Sequence, residues 1–149
     1  MTRRRAGERP LEDSLIATAH ALADAARTAI LPHFRARGLA AENKLSEGFD
    51  PVTEADRAAE QAMRAILAER RPDDAILGEE FGETAGQSGL TWVLDPIDGT
   101  RAFISGTPTW GVLIAVGGAD GPELGVIDQP YIGERFIGGF GHAEVVGPH

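Results

Sequence analysis

The chain has 149 residues, which fits one domain of ordinary size with its own core. Hydrophobic residues make up 42% and charged residues 25%, as in a globular protein, and the net charge of −9 argues against a nucleic-acid surface, which would carry a basic patch. There are no cysteines, which excludes disulfides and thiolate metal sites, and no apolar run approaches the roughly 20 residues of a membrane span. We therefore expect a cytoplasmic protein with no nucleic-acid or membrane partner.

The N-terminal third predicts a tail followed by a helix. Residues 1–10 include three consecutive arginines with no apolar segment after them, which predicts a flexible basic tail. Apolar residues then recur at helical spacing from Leu11 to Phe34, with Asp13 or Ser14 as candidate N-caps and Pro32 near the end. We expect residues 11–149 to form a single domain.

A second amphipathic helix is predicted to end before Pro72. It follows a predicted loop, 40–49, that carries Lys44. Thr53 is the expected N-cap, because acidic residues follow it in the first turn. Asp56 has two interpretations at this stage: it caps the helix, or it is a functional acid.

The next predicted strand ends in glycine and two adjacent carboxylates, Gly78-Glu79-Glu80. Because successive side chains of a strand point to opposite faces, only one of the two glutamates can face a shared site. Two exposed glutamates at a strand end are the alternative.

The central segment of the chain runs from Trp92 to Phe103. An apolar strand leads into two carboxylates three residues apart, Asp95 and Asp98, and Pro96 between them is predicted to end the strand. A turn here would bring both carboxylates to one side, where they and the Ile97 carbonyl offer the hard oxygens that Mg²⁺ prefers.

The residues that follow predict an anion site beside those carboxylates. Gly99 allows close backbone approach, and a helix that begins near Thr100 would leave free N–H groups for a phosphate. The alternative is a plain turn in which the aspartates bond nearby amides.

Three apolar strands follow, separated by short turns, at about 110–116, 124–132 and 135–140. They predict an antiparallel meander. With the preceding helices, the order of elements predicts an α+β fold in which two helices pack on a mostly antiparallel sheet.

Three motifs together resemble the signature of the inositol monophosphatase superfamily, which comprises Mg²⁺-dependent, lithium-sensitive phosphomonoesterases. They are Asp50-Pro51-Val52-Thr53-x-x-Asp56, Gly78-Glu79-Glu80, and Trp92 to Thr100. The resemblance extends from about Leu15 to Phe140. It implies a small phosphorylated metabolite as substrate, and a homodimer as one assembly.

The resemblance also implies roles for individual residues. Metal ligands would be Glu79, Asp95, the Ile97 carbonyl and Asp98, with Mg²⁺ as the cofactor. Catalytic residues would be Glu79 and Thr100, which position the attacking water, and Asp56 as a supporting acid. Substrate would be bound by Asp98 and by the backbone of Gly99 and Thr100. In sequence, Lys44 falls near the position of a loop lysine of the family.

Residues 100–106, followed by Trp110-Gly111, are similar to the histidinol-phosphatase branch, which acts in histidine biosynthesis; inositol phosphatases are the alternative. The family also has a C-terminal α/β domain with a Trp-Asp-x-Ala-Ala-Gly motif, and neither tryptophan of this chain precedes an aspartate. The resemblance therefore implies that this chain corresponds to the N-terminal portion of a family member, without the C-terminal α/β domain. Besides an active phosphatase, two readings stay open: a non-catalytic fragment that binds one Mg²⁺ through Glu79 and Asp95, and a purely structural domain.

Overall fold

A computed structural model of the chain describes residues 7–36 and 51–148. Its helices are α1 (Glu8–Ile30), which continues into a short 3₁₀ turn (Leu31–His33), α2 (Pro51–Arg70) and α3 (Thr100–Ser105). Its strands are β1 (Ala75–Gly78), β2 (Gly82–Thr84), β3 (Thr91–Asp98), β4 (Gly111–Gly118), β5 (Gly121–Gln129), β6 (Glu134–Gly139) and β7 (His142–Val146). The predicted loop 40–49, with Lys44, lies outside the described residues.

The strands form one sheet in the order β2-β1-β3-β4-β5-β6-β7. Only the β1–β3 pair is parallel within the described residues, and every other pair is antiparallel. The expected α+β fold with a mostly antiparallel sheet is therefore confirmed. The meander has a fourth strand, β7, that the apolar pattern did not predict, because all five of its residues are exposed.

Helices α1 and α2 pack on each other and on one face of the sheet. In strands β1, β3, β4, β5 and β6 the residues that face them are buried, and these include Trp92, Leu94, Val112 and Val126. The same period-2 alternation places the intervening residues on the opposite face. Five large apolar side chains of that face are exposed: Leu77, Val93, Ile127, Phe136 and Val145. The sheet is thus covered by the described helices on one side only.

Both long helices begin earlier than the sequence pattern predicted. Helix α1 starts at Glu8 with Gly7 at the N-cap position, so residues 8–10 are helical and neither Asp13 nor Ser14 is the cap. Helix α2 starts at Pro51, so Thr53 lies inside the first turn. Proline is favoured at the first helical position because the N–H that it lacks would have no intrahelical partner there. No helix among the described residues is long and apolar enough to cross a membrane.

A buried ion pair, Arg71–Asp74, lies in the segment that connects α2 to β1. Asp74, 4% exposed, accepts hydrogen bonds from Arg71 (2.7 and 3.0 Å), from the Ser88 hydroxyl (2.7 Å) and from Trp92 Nε1 (2.9 Å). Burial raises the pKa of Asp74, but these hydrogen bonds and the charge of Arg71 outweigh burial and hold the pKa below its ordinary value of 3.8.

This shift predicts a pH dependence of stability. A carboxyl with a lowered folded-state pKa stabilises the fold fully above its unfolded-state pKa, and the contribution is lost as pH falls through the folded pKa. We expect Asp74→Asn to lower the free energy of unfolding at neutral pH and to lessen its decline below about pH 4. Urea unfolding across that range measures both. Parallel pH profiles of wild type and variant would contradict the assignment.

Candidate metal and phosphate site

Strand β3 continues through Pro96 to Asp98, although the sequence predicted that it would stop at the proline. Its pairing with β1 ends at Leu94, and its register with β4 shifts between Asp95 and Asp98. Proline is tolerated in a sheet at such an irregularity because no ladder hydrogen bond needs its missing N–H. A register irregularity within the strand therefore takes the place of the turn predicted between Asp95 and Asp98.

Glu79 lies in the turn that follows β1. The strand ends at Gly78, before both glutamates. The alternation of side chains along a strand, on which the sequence-based prediction rested, therefore does not decide which glutamate faces Asp95. Glu79 is nevertheless the one that interacts with the Asp95 side chain. The backbone N–H of Glu80 instead donates to buried Glu60.

Two neighbouring carboxylates act on Asp95 near the ends of β1 and β3. Burial raises the pKa of Asp95, the negative charges of Glu79 and Asp98 raise it further, and a hydrogen bond between the Asp95 and Glu79 carboxyls favours the protonated form; together they raise it to about 6. The backbone N–H of Ile97 donates to the Asp95 carboxylate and acts in the opposite direction. The aspartate-to-amide hydrogen bond of the plain alternative is thus present within the acidic cluster.

The donor chemistry of this cluster fits a hard divalent cation. Asp95 Oδ1 is buried and has no hydrogen-bond partner among the described residues. Carboxylate oxygens that crowd one another are relieved when a cation lies between them. Within residues 7–36 and 51–148, no three acidic, histidine or cysteine side chains already surround a metal position. Glu79 and Asp95 are therefore a partial set of ligands as they stand.

The short helix predicted to begin near Thr100 is present. Gly99 has φ +86° and ψ +46°, and α3 begins at exposed Thr100. Phe103 anchors this helix, because its ring contacts those of Phe34 and Trp110 at centroid distances of 5.3 and 5.0 Å. The backbone of Gly99 and Thr100 is thus held next to Asp98.

Gly99 should be hard to replace. Its φ is unfavourable for other residues, and an added Cβ would lie 3.1 Å from the Thr109 carbonyl oxygen. Gly89 is a matched control, since its φ is +85° and nothing lies within 4 Å of an added Cβ. We expect Gly89→Ala to lower the free energy of unfolding by about 1 kcal/mol and Gly99→Ala by about 1–2 kcal/mol more. Equal losses in chemical denaturation would show that the Thr109 contact is not restrictive.

Asp56 lies in the second turn of α2 and is 8% exposed. The helix-cap interpretation is wrong, because a cap precedes the first turn. Asp56 is on the same face as Glu60, one turn further along. The sequence did not single out Glu60, since a glutamate in an amphipathic helix ordinarily lies on the solvated face.

A groove of about 520 Å³ runs from the acidic cluster along the open face of the sheet. Glu79 and Asp95 lie at its polar part, and the rest of its lining is mostly apolar: Leu77, Gly78, Val93, Leu94, Leu113, Ile114 and Ala115. The cluster is therefore accessible to small molecules from the side of the sheet that the described helices leave uncovered.

The family model described as "Inositol monophosphatase family" matches residues 11–145. The chain belongs to this family. It is 43% identical over 122 residues to a histidinol-phosphatase of Streptomyces coelicolor, covering 79% of this chain and 45% of the relative. It is also 45% identical over 85 residues to an inositol-1-monophosphatase of Mycobacterium leprae, covering 54% and 29%.

A solved inositol monophosphatase from Zymomonas mobilis has the same fold as this chain. The TM-score is 0.76 at 45% sequence identity, and the match covers 97% of this chain and 53% of that one. This chain thus spans about half the length of the family members that it matches. Each of these three relatives is named as a phosphatase.

Proposed function

We propose that this chain carries the metal- and phosphate-binding part of a Mg²⁺-dependent phosphomonoesterase whose substrate is histidinol phosphate. The observation that carries the proposal is the contact between the Glu79 and Asp95 carboxyls, with Asp98 and the Gly99-Thr100 backbone next along the chain. The 43% identity to a histidinol-phosphatase supports the substrate. The proposal includes a cytoplasmic location, a role in histidine biosynthesis, inhibition by Li⁺, and a homodimer.

In this proposal Glu79, Asp95, Asp98 and the Ile97 carbonyl hold Mg²⁺. When bound, Mg²⁺ would lower the pKa of a coordinated water and neutralise negative charge that develops on the phosphate oxygens. Glu79 and Thr100 orient the attacking water, and Asp56 supports the cluster as a buried acid. The backbone N–H groups of Gly99 and Thr100 bind the phosphate. Water attacks directly, so no side chain forms a covalent bond to the substrate.

Two alternatives have specific support. Inositol 1-phosphate is the second candidate substrate, because the M. leprae inositol-1-monophosphatase is 45% identical over the part that it matches. A non-catalytic Mg²⁺-binding domain is the other, because only a partial set of metal ligands is gathered among the described residues.

Phosphate release from histidinol phosphate and from inositol 1-phosphate, with Mg²⁺ and with a chelator, tests the proposal. We expect Mg²⁺-dependent release, a higher kcat/KM for histidinol phosphate, and a loss of roughly 100-fold or more in Asp95→Asn. A higher kcat/KM for inositol 1-phosphate would favour the first alternative. Absence of release from a folded chain that binds Mg²⁺ would favour the second.

A further inference from the structure

Glu60 is a fully buried carboxylate in the middle of α2, with 0% of its surface exposed. A buried charge is costly unless charged and hydrogen-bonding partners surround it. Arg64, one turn later on the same helix, supplies the charge: its Nε donates to Glu60 Oε2 at 3.0 Å. The carboxylate accepts its other hydrogen bonds from residues outside the helix.

The other partners of Glu60 are backbone groups of the turn after β1. The N–H of Glu80 donates to Oε1 and the N–H of Phe81 donates to Oε2, each at 2.9 Å. Gly78, at the end of the strand, lies so close that a Cβ there would overlap the Glu60 carboxylate. One side chain therefore bonds the residue after Glu79 and packs against the residue before it.

Arg64 extends the same restraint to β2. Its Nη2 donates to the Gly82 carbonyl at 2.5 Å and its Nη1 to the Thr84 hydroxyl at 2.8 Å. Two residues of α2 thus contact the turn after β1 and strand β2, from Gly78 to Thr84. Neither Glu60 nor Arg64 needs to touch a ligand to do so.

The restraint matters because Glu79 and Asp95 repel each other when both are ionised. Glu79 is exposed. If the amides of the turn were unrestrained, the backbone could change conformation and carry the Glu79 side chain away from Asp95. The hydrogen bonds from Glu80 and Phe81 to Glu60 oppose that change.

We propose that Glu60, supported by Arg64, is a positioning residue that fixes the turn at Glu79 so that its carboxylate stays beside Asp95, ready for a divalent cation. This inference rests on the proposed function for the role of the cation. Residues that orient metal ligands in this way typically contribute 10- to 100-fold to metal affinity.

The test combines Mg²⁺ titration calorimetry with amide hydrogen exchange. Glu60→Gln replaces one acceptor oxygen with a donor, so an N–H or Arg64 loses its partner. We expect its Mg²⁺ dissociation constant to rise by roughly 10- to 100-fold, and the Glu80 and Phe81 amides to exchange faster than in wild type.

Asp74→Asn is the matched control, since Asp74 is also a buried carboxylate paired with an arginine, here Arg71 just after α2, at the other end of β1. It should lower stability yet leave the Mg²⁺ dissociation constant within about twofold, which separates positioning from general destabilisation. A folded Glu60→Gln with wild-type Mg²⁺ affinity and slow Glu80 and Phe81 exchange would overturn the inference.

If Glu60→Gln does not fold, exchange in the wild-type chain decides, because fast exchange at Glu80 and Phe81 contradicts the hydrogen bonds to Glu60. If wild type binds no Mg²⁺, the proposed function fails for this chain. The exchange rates of the two amides then still test whether Glu60 holds the turn.

Discussion

Asp95→Asn is expected to stabilise the chain when no divalent cation is present and to abolish stabilisation by Mg²⁺. Burial and the charges of Glu79 and Asp98 raise the pKa of Asp95 to about 6. Near neutral pH the ionised carboxylate therefore lowers the stability of the folded chain. Allowing for partial solvent exposure, removing the charge should add about 1–2 kcal/mol to the free energy of unfolding.

Wild type should gain about 2.7 kcal/mol when Mg²⁺ is present at 100 times its dissociation constant, and Asp95→Asn should gain none of it. Thermal unfolding with Mg²⁺ and with a chelator measures both effects. Asp120→Asn is the control, because it removes one negative charge from an exposed turn between β4 and β5. A destabilised Asp95→Asn that responds to Mg²⁺ like wild type would contradict the site.

The second large effect is expected at Asp128, a fully buried residue of β5. Its carboxylate accepts from Arg27 of α1 at 2.6 and 3.1 Å and from Arg135 of β6 at 2.9 Å. Asp128→Ala leaves the buried Arg135 without its buried carboxylate partner and removes the ion pair between Arg27 of α1 and β5. We expect a loss of roughly 3–5 kcal/mol in the free energy of unfolding.

Asp24→Ala is the matched comparison for Asp128→Ala. Asp24 also accepts from Arg135, at 2.6 Å, but its side chain is 69% exposed. We expect its loss to stay below about 1 kcal/mol in the same denaturant experiment. Similar losses for the two variants would mean that burial of Asp128 does not decide the strength of this network.

Much of this fold follows from short-range patterns. The 3.6-residue periodicity of α1 and α2, the apolar run of β3 and the glycine turn before α3 were all predictable, because each is encoded within a few consecutive residues. Strands β2 and β7 were not, since their residues are exposed and carry little apolar pattern.

Part of the candidate site was predictable and part was not. Asp95, Asp98 and Gly99 lie in one short segment, so the sequence alone predicts that they act together. Glu79 was one of two adjacent candidates. Glu60 was not predictable, because its partners Glu80 and Phe81 are 20 and 21 residues away and its helix looks amphipathic. The same holds for Arg27 and Asp128, 101 residues apart.

Anomalous diffraction from crystals grown with Mn²⁺, a cation that also takes carboxylate ligands, tests the central claim most directly. We expect a peak about 2.1 Å from carboxylate oxygens of both Glu79 and Asp95, absent in Asp95→Asn crystals. A fully occupied peak elsewhere, with none between Glu79 and Asp95, would contradict the assignment of this cluster as the metal site.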